Sequence, residues 1–217
     1  MTENEVKALI EQEKIIAIVR GVAPEVTMKV ADALYAGGIR LMEITYNQKD
    51  PASFRNTADA IAAVRKAYEG RMCVGAGTVT TTELVELTAS AGGQYVISPD
   101  VNTAVIRRTK ELGMLSLPGA MTPTEVLTAH YAGADFVKLF PAGNLGPAYI
   151  KAIRGPISHV KLLAVGGIDE KNIPDFLKAG VCGFGIGGNL ANKTWIANGE
   201  FDKVTEVAKL MLAAVRG

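Results

Sequence analysis

The chain has 217 residues, 48% hydrophobic and 21% charged, the balance of a folded globular protein rather than a disordered one. Lys+Arg 23 against Asp+Glu 22 leaves a formal charge of +1, which provides no electrostatic footprint for nucleic acid or an anionic membrane. The longest uncharged run, Ala179 to Asn192, is 14 residues with five glycines, too short and too broken to span a bilayer.

In chain order, the opening MTENEVKALIEQEK is charged throughout, lacks the apolar stretch of a signal peptide, and reads as an extra helix ahead of the first strand. Short runs rich in Val and Ile then recur: IIAIVR (15–20), IRLMEI (39–44), RMCVGAGT (71–78) and QYVIS (94–98). MLSLP (114–118), DFVKLF (135–140), KLLAVG (161–166) and VCGFGIG (181–187) follow. Apolar runs of this length bounded by turn signals predict buried strands. Every gap but the last holds a helical period. PEVTMKVADALYAG (24–37) places Val26, Val30 and Leu34 four apart and stops at Gly37, and TTELVELTASAGG (81–93) closes on glycines. EFDKVTEVAKLMLAAVRG reads as the closing helix.

The strand starts at 15, 39, 71, 94, 114, 135, 161 and 181 make eight βα units, the count of a compact α/β (β/α)8 TIM barrel. Seven or fewer units would fit a doubly wound sheet. No linker or composition shift divides the chain, so residues 1–217 read as a single barrel domain. Cys73 and Cys182 are far apart and in no Cys-x-x-Cys pattern, as expected of reduced thiols in a cytoplasmic protein. With only two histidines, His130 and His159, a His-rich zinc site is excluded; a carboxylate-only magnesium site stays open. The chemistry is therefore expected to run on side chains alone, with no metal and no cofactor.

A barrel of this kind carries its active site at the C-terminal ends of its strands. There stand Arg20, Glu43, Thr78, Pro99, Lys138, Phe140, Gly166-Gly167 and Gly187-Gly188. In DFVKLF the strand period puts Phe136, Lys138 and Phe140 on one face. Burial of the amine between two aromatics lowers its pKa. From a reference of ~10.4 only about one amine in 2,500 is neutral at pH 7, and a drop of ~3 units frees about half. Such an amine forms a Schiff base with a ketone. The competing reading is a lysine at a strand end that pairs with a carboxylate or a phosphate. Glu43 shares a face with Ile39 and Leu41 and suits a general acid/base, or a structural ion pair with Arg20 or Lys138. The glycine pairs after the last two strands suggest backbone binding of a phosphate. GAGTV (75–79) lacks the third glycine of a dinucleotide fingerprint, since position 80 is Thr.

GGIRLMEITYN, VGAGTV, ISPD, LPGAMTPTE, FVKLFPA and AVGGI, in this order from about Ile15 to Asn189, resemble the 2-keto-3-deoxy-6-phosphogluconate/4-hydroxy-2-oxoglutarate aldolases. The resemblance implies a class I aldolase on a (β/α)8 barrel, a small keto-acid phosphate as substrate and a homotrimer. It places the Schiff-base lysine on Lys138 and the general acid/base on Glu43. Substrate contacts fall on Thr78 and Arg20, and the phosphate-binding backbone on Gly166-Gly167 and Gly187-Gly188; Pro99 and Phe140 complete the expected binding set. Two positions depart from the gluconate branch. Asn47 stands where an arginine helps hold the substrate carboxylate, and Val165 where a threonine precedes Gly-Gly. E-I-x-x-N, A-V-G-G and G-P-x-Y-I-K at 146–151 look more like the 2-keto-3-deoxy-6-phosphogalactonate branch. Two other readings keep the barrel: a phosphosugar isomerase or epimerase with Glu43 as proton shuttle, and a non-catalytic phosphosugar-binding module.

Overall fold

A computed structural model describes residues 1–217. The strands are β1 (Ile15–Val19), β2 (Leu41–Thr45), β3 (Cys73–Gly77), β4 (Tyr95–Ile97), β5 (Leu115–Leu117), β6 (Gly119–Ala120), β7 (Val137–Leu139), β8 (Leu162–Val165) and β9 (Gly183–Ile186). All pair in parallel, in the order β5-β4-β3-β2-β1-β9-β8-β7-β6. The eight expected runs are present, each start within two residues of its predicted place, and the fifth is split. Pro118 has no N–H to donate and divides it: β5 pairs with β4 and β6 with β7. The two ends of the sheet order are thus pieces of one run. The Lys138 N–H donates to the Pro118 carbonyl at 2.9 Å across the join, and the barrel closes.

Helices α1 (Glu3–Glu13), α2 (Pro24–Ala36), α3 (Phe54–Ala67), α4 (Thr82–Ser90), α5 (Thr103–Glu111), α6 (Pro123–Tyr131), α7 (Ala142–Arg154), α8 (Ile173–Lys178), α9 (Lys193–Ala197) and α10 (Phe201–Arg216) follow in chain order. The last gap between predicted strands, residues 167–180, in which no helical period was evident, contains the six-residue α8, and the five-residue α9 precedes the closing α10. Strand side chains alternate between two apolar layers. Outward residues such as Met42, Val137 and Leu139 join the layer under the helices, whereas Ile16, Leu41, Tyr95, Leu115 and Phe136 fill the barrel.

Helix α1 lies across the bottom. Thr2 and Glu5 form a capping box at its start, and Val6 and Ile10, both buried, belong to the inner layer rather than the outer one. Ion pairs bind its polar side to the rim: Lys7 to Asp135 at 3.4 Å, Lys110 to Glu3, and Lys161 to Glu11. The bottom is closed, so ligands reach the interior from the C-terminal mouth. No helix is long and apolar enough to cross a membrane.

Candidate active site

Lys138 stands in the middle of β7, with Phe136 below it on the same face and Phe140 above. Only 7% of the residue is exposed. Its Nζ sits 5.0 Å from the centre of the Phe140 ring and forms no ion pair. No carboxylate of the chain pairs with this lysine. Burial lowers the pKa of the amine, against an opposing pull from Glu43.

Glu43 is 1% exposed, and its Oε2 has no hydrogen-bond partner. It too forms no ion pair with Arg20 or Lys138. Burial raises its pKa, with Lys138 and then Arg20 acting in the other direction. Both shifts favour the uncharged form, the direction that suits an amine nucleophile and a carboxyl proton donor.

Strand β3 makes the room for this carboxyl. Its register sets Gly75 beside Glu43, and a Cβ on Gly77 would fall on the Glu43 carboxyl. A Cβ on Gly75 would meet the ring of Tyr95, whose hydroxyl donates to the Met42 carbonyl at 2.6 Å. GAGT is thus a steric device: two inward glycines let a carboxyl and a tyrosine ring share the barrel interior. Sequence reasoning used those glycines only to reject a dinucleotide loop.

Above Lys138 opens a cavity of about 480 Å3, lined by Arg20, Thr78, Pro99, Lys138, Phe140, Gly166, Gly167, Gly187 and Gly188. Every candidate binding residue borders it. Glu43 does not. Thr78 has a left-handed backbone, φ 58°, unusual for a threonine. Gln48 Nε2 donates to its carbonyl at 2.7 Å and Arg20 Nη2 to its hydroxyl at 3.3 Å. Gly166 and Gly167, at φ 89° and 73°, turn the chain back over Gly143 in a conformation that side-chain-bearing residues rarely adopt. The reading missed Asn189, which lines the cavity and donates through Nδ2 to the Ile168 carbonyl at 2.8 Å.

Burial pushes the Cys73 and Cys182 thiols up to about 11, so neither is a thiolate nucleophile at neutral pH. No three His, Cys, Asp or Glu side chains cluster as a metal site would need. His130 and His159 face each other edge to ring, 5.0 Å apart, away from the cavity.

The family described as "Aldolase: KDPG and KHG aldolase" matches residues 6–207. The chain belongs to that family. Among its relatives, the probable 2-dehydro-3-deoxy-6-phosphogalactonate aldolase of Rhizobium meliloti (strain 1021) is 43% identical over 180 residues, 82% of each chain. The solved structure described as native KDPGal superposes with a TM-score of 0.83 at 33% identity, covering 93% of this chain and 94% of that one. The KDPG aldolase of Legionella pneumophila, with pyruvate captured as a covalent carbinolamine intermediate, superposes at 0.84 with 25% identity, over 94% and 97% of the two chains. As a member of this family the chain is an aldolase, a lyase on an α/β barrel.

Proposed function

We propose that residues 1–217 act as one class I aldolase domain that cleaves a 2-keto-3-deoxy-6-phospho sugar acid to pyruvate and D-glyceraldehyde 3-phosphate, with 4-hydroxy-2-oxoglutarate as a further substrate. The observation that carries this is the Lys138 amine, buried at the base of a cavity without a counter-ion. Lys138 Nζ attacks the C2 ketone to form a carbinolamine, and Glu43 gives the proton with which water departs, leaving the imine. Because Glu43 does not border the cavity, its carboxylate then takes the C4 hydroxyl proton through a water. The C3–C4 bond breaks, its electrons pass to the imine, and the aldehyde leaves. The enamine is reprotonated, and water frees pyruvate and the amine. Arg20 and Thr78 hold the acid end, Pro99 and Phe140 enclose the chain, and the backbone of Gly166-Gly167 and Gly187-Gly188 receives the phosphate.

Reduction with borohydride in the presence of pyruvate tests the reading. The expected product is an irreversible pyruvate adduct on Lys138, seen by intact mass and peptide mapping, and absent from Lys138→Met. No adduct, or one on a surface lysine, would overturn it. The isomerase or epimerase reading is not favoured, since the matched family and the relatives above are aldolases.

Asn47, Val165 and the galactonate relatives favour the galactonate epimer, a choice decided by a few polar contacts. The ratio of kcat/KM for the two epimers should exceed one in its favour; a ratio below one refutes this. The assembly is a homotrimer in the cytoplasm, by family resemblance and the two unpaired cysteines. Light scattering should return three chain masses, and another multiple would reject the trimer.

A further inference from the structure

Beside the Lys138 cavity the mouth of the barrel holds a second recess of about 390 Å3, and the two share Arg20 and Thr78. Lys49 and Lys193 join Arg20 in its wall, which contains no aspartate or glutamate. None of these three cations forms an ion pair. Several lysines elsewhere do find carboxylates: Lys110 lies 2.7 Å from Asp135 and Lys203 2.8 Å from Glu200. Here three positive side chains face one hollow.

An independent feature points the same way. Thr45 borders this recess and lies one step beyond Glu43 on the inward face of β2. It is 6% exposed, and its Oγ1 has no hydrogen-bond partner. Buried hydroxyls are ordinarily paired, so an orphan beside three free cations marks a place for an acceptor that the protein does not supply.

The chemistry at Lys138 decides which acceptor. In a 2-keto acid the carboxylate is bonded to the carbon that the amine attacks, whereas the 6-phosphate lies at the far end of the chain. With the phosphate on the glycines after β8 and β9, the carboxylate turns to the Arg20–Thr78 border, where the recess opens. Asn47 brings no charge there. Lys193 does: it leaves the loop after β9, and its Nζ lies above Gly21, 3.3 Å from where a Cβ on that glycine would stand.

Resting on the aldolase reading above, we infer that Lys193 is a substrate-binding and specificity-determining residue, its ammonium and the Thr45 hydroxyl donating to the carboxylate of the 2-keto acid. It supplies, from the opposite wall, the charge that Asn47 lacks.

The test is Lys193→Met, with Lys193→Arg as the conservative variant, read by pyruvate-dependent borohydride trapping and by condensation kinetics. Lys193 is exposed and unpaired, so both variants should fold. Loss of one charge-assisted hydrogen bond should raise half-saturating pyruvate roughly tenfold in Lys193→Met and much less in Lys193→Arg. Half-saturation by glyceraldehyde 3-phosphate at saturating pyruvate should not move. Unchanged pyruvate dependence overturns the assignment, as does a shift confined to glyceraldehyde 3-phosphate, which would put the charge at the phosphate end. Pyruvate titration followed by NMR in a Lys138→Met background, where no imine forms, reads the carboxylate contact by itself. There too Lys193→Met should weaken binding roughly tenfold, and equal binding with and without Lys193 overturns the assignment. A wild type that forms no Lys138 adduct fails the Schiff-base reading, while this comparison still decides Lys193.

Discussion

In DFVKLF an amine that would be charged in water stands between two phenyl rings, with nothing paired to it. Folding must strip its proton or bury the charge, and either costs stability that an apolar side chain would not. Replacement of Lys138 by Met should therefore abolish turnover and raise Tm, by roughly 2–4 °C for each kcal/mol recovered. The pH dependence has a definite sign. Folded Lys138 has a lowered pKa, so between that value and the unfolded ~10.4 the unfolded chain binds the extra proton, and wild-type stability rises with pH through this window. The Tm gap between variant and wild type should be wide at pH 7 and narrow toward pH 10. A gap that is absent at pH 7, or that widens as pH rises, would show that the amine is not destabilised by burial. At this scale the sequence was informative because the strand period fixes which residues share a face, and Lys138 and Glu43 both obeyed it. It was silent on Thr45 and Lys193. A threonine in a strand and a lysine after a loop carry no periodic signal, and their meaning depends on partners that only the closed barrel brings near.

Among the elements, α1 and β3 do opposite work on the same interior. Helix α1 fills the barrel from below with Val6 and Ile10, while β3 empties it above with Gly75 and Gly77. Since the plug lies at the end away from the mouth, its loss should affect stability and not substrate binding. Ile10→Ala is expected to cost about 2–5 kcal/mol, read from denaturant midpoints, with KM held within twofold. A large KM change at small stability cost would mean that the bottom of the barrel communicates with the mouth. α1 was legible as an extra helix ahead of the first strand, and strand counting made the barrel legible, because buried parallel strands are continuous apolar runs. The break at Pro118 was harder to read. MLSLP ends on the proline as a strand ordinarily could, and only the pairing of Gly119-Ala120 with β7 shows that the run continues beyond it. α8 and α9 were invisible for a simpler reason: six and five residues are too few to display a 3.6-residue period.

Across the whole molecule the near-zero net charge conceals an uneven distribution. Lys7, Lys161, Lys203 and Lys209 pair with carboxylates away from the mouth, whereas Arg20, Lys49 and Lys193 share the wall of one recess at the mouth without ion pairs. A chain with a formal charge of +1 has no long-range field to attract an anion, so attraction must come from this local concentration. The Debye length falls from about 30 Å at 0.01 M salt to about 3 Å at 1 M, and exposed charges at a mouth lie within the range that salt screens. For a substrate carrying both carboxylate and phosphate, kcat/KM should fall roughly five- to tenfold between these limits, with Tm nearly unchanged because paired surface charges contribute little to stability. Lys193→Met should flatten the dependence, having removed one of the three charges in the recess. A salt-independent kcat/KM in the wild type would mean that the mouth cations neither steer nor hold the substrate, and that the backbone of the glycine loops alone accounts for its capture.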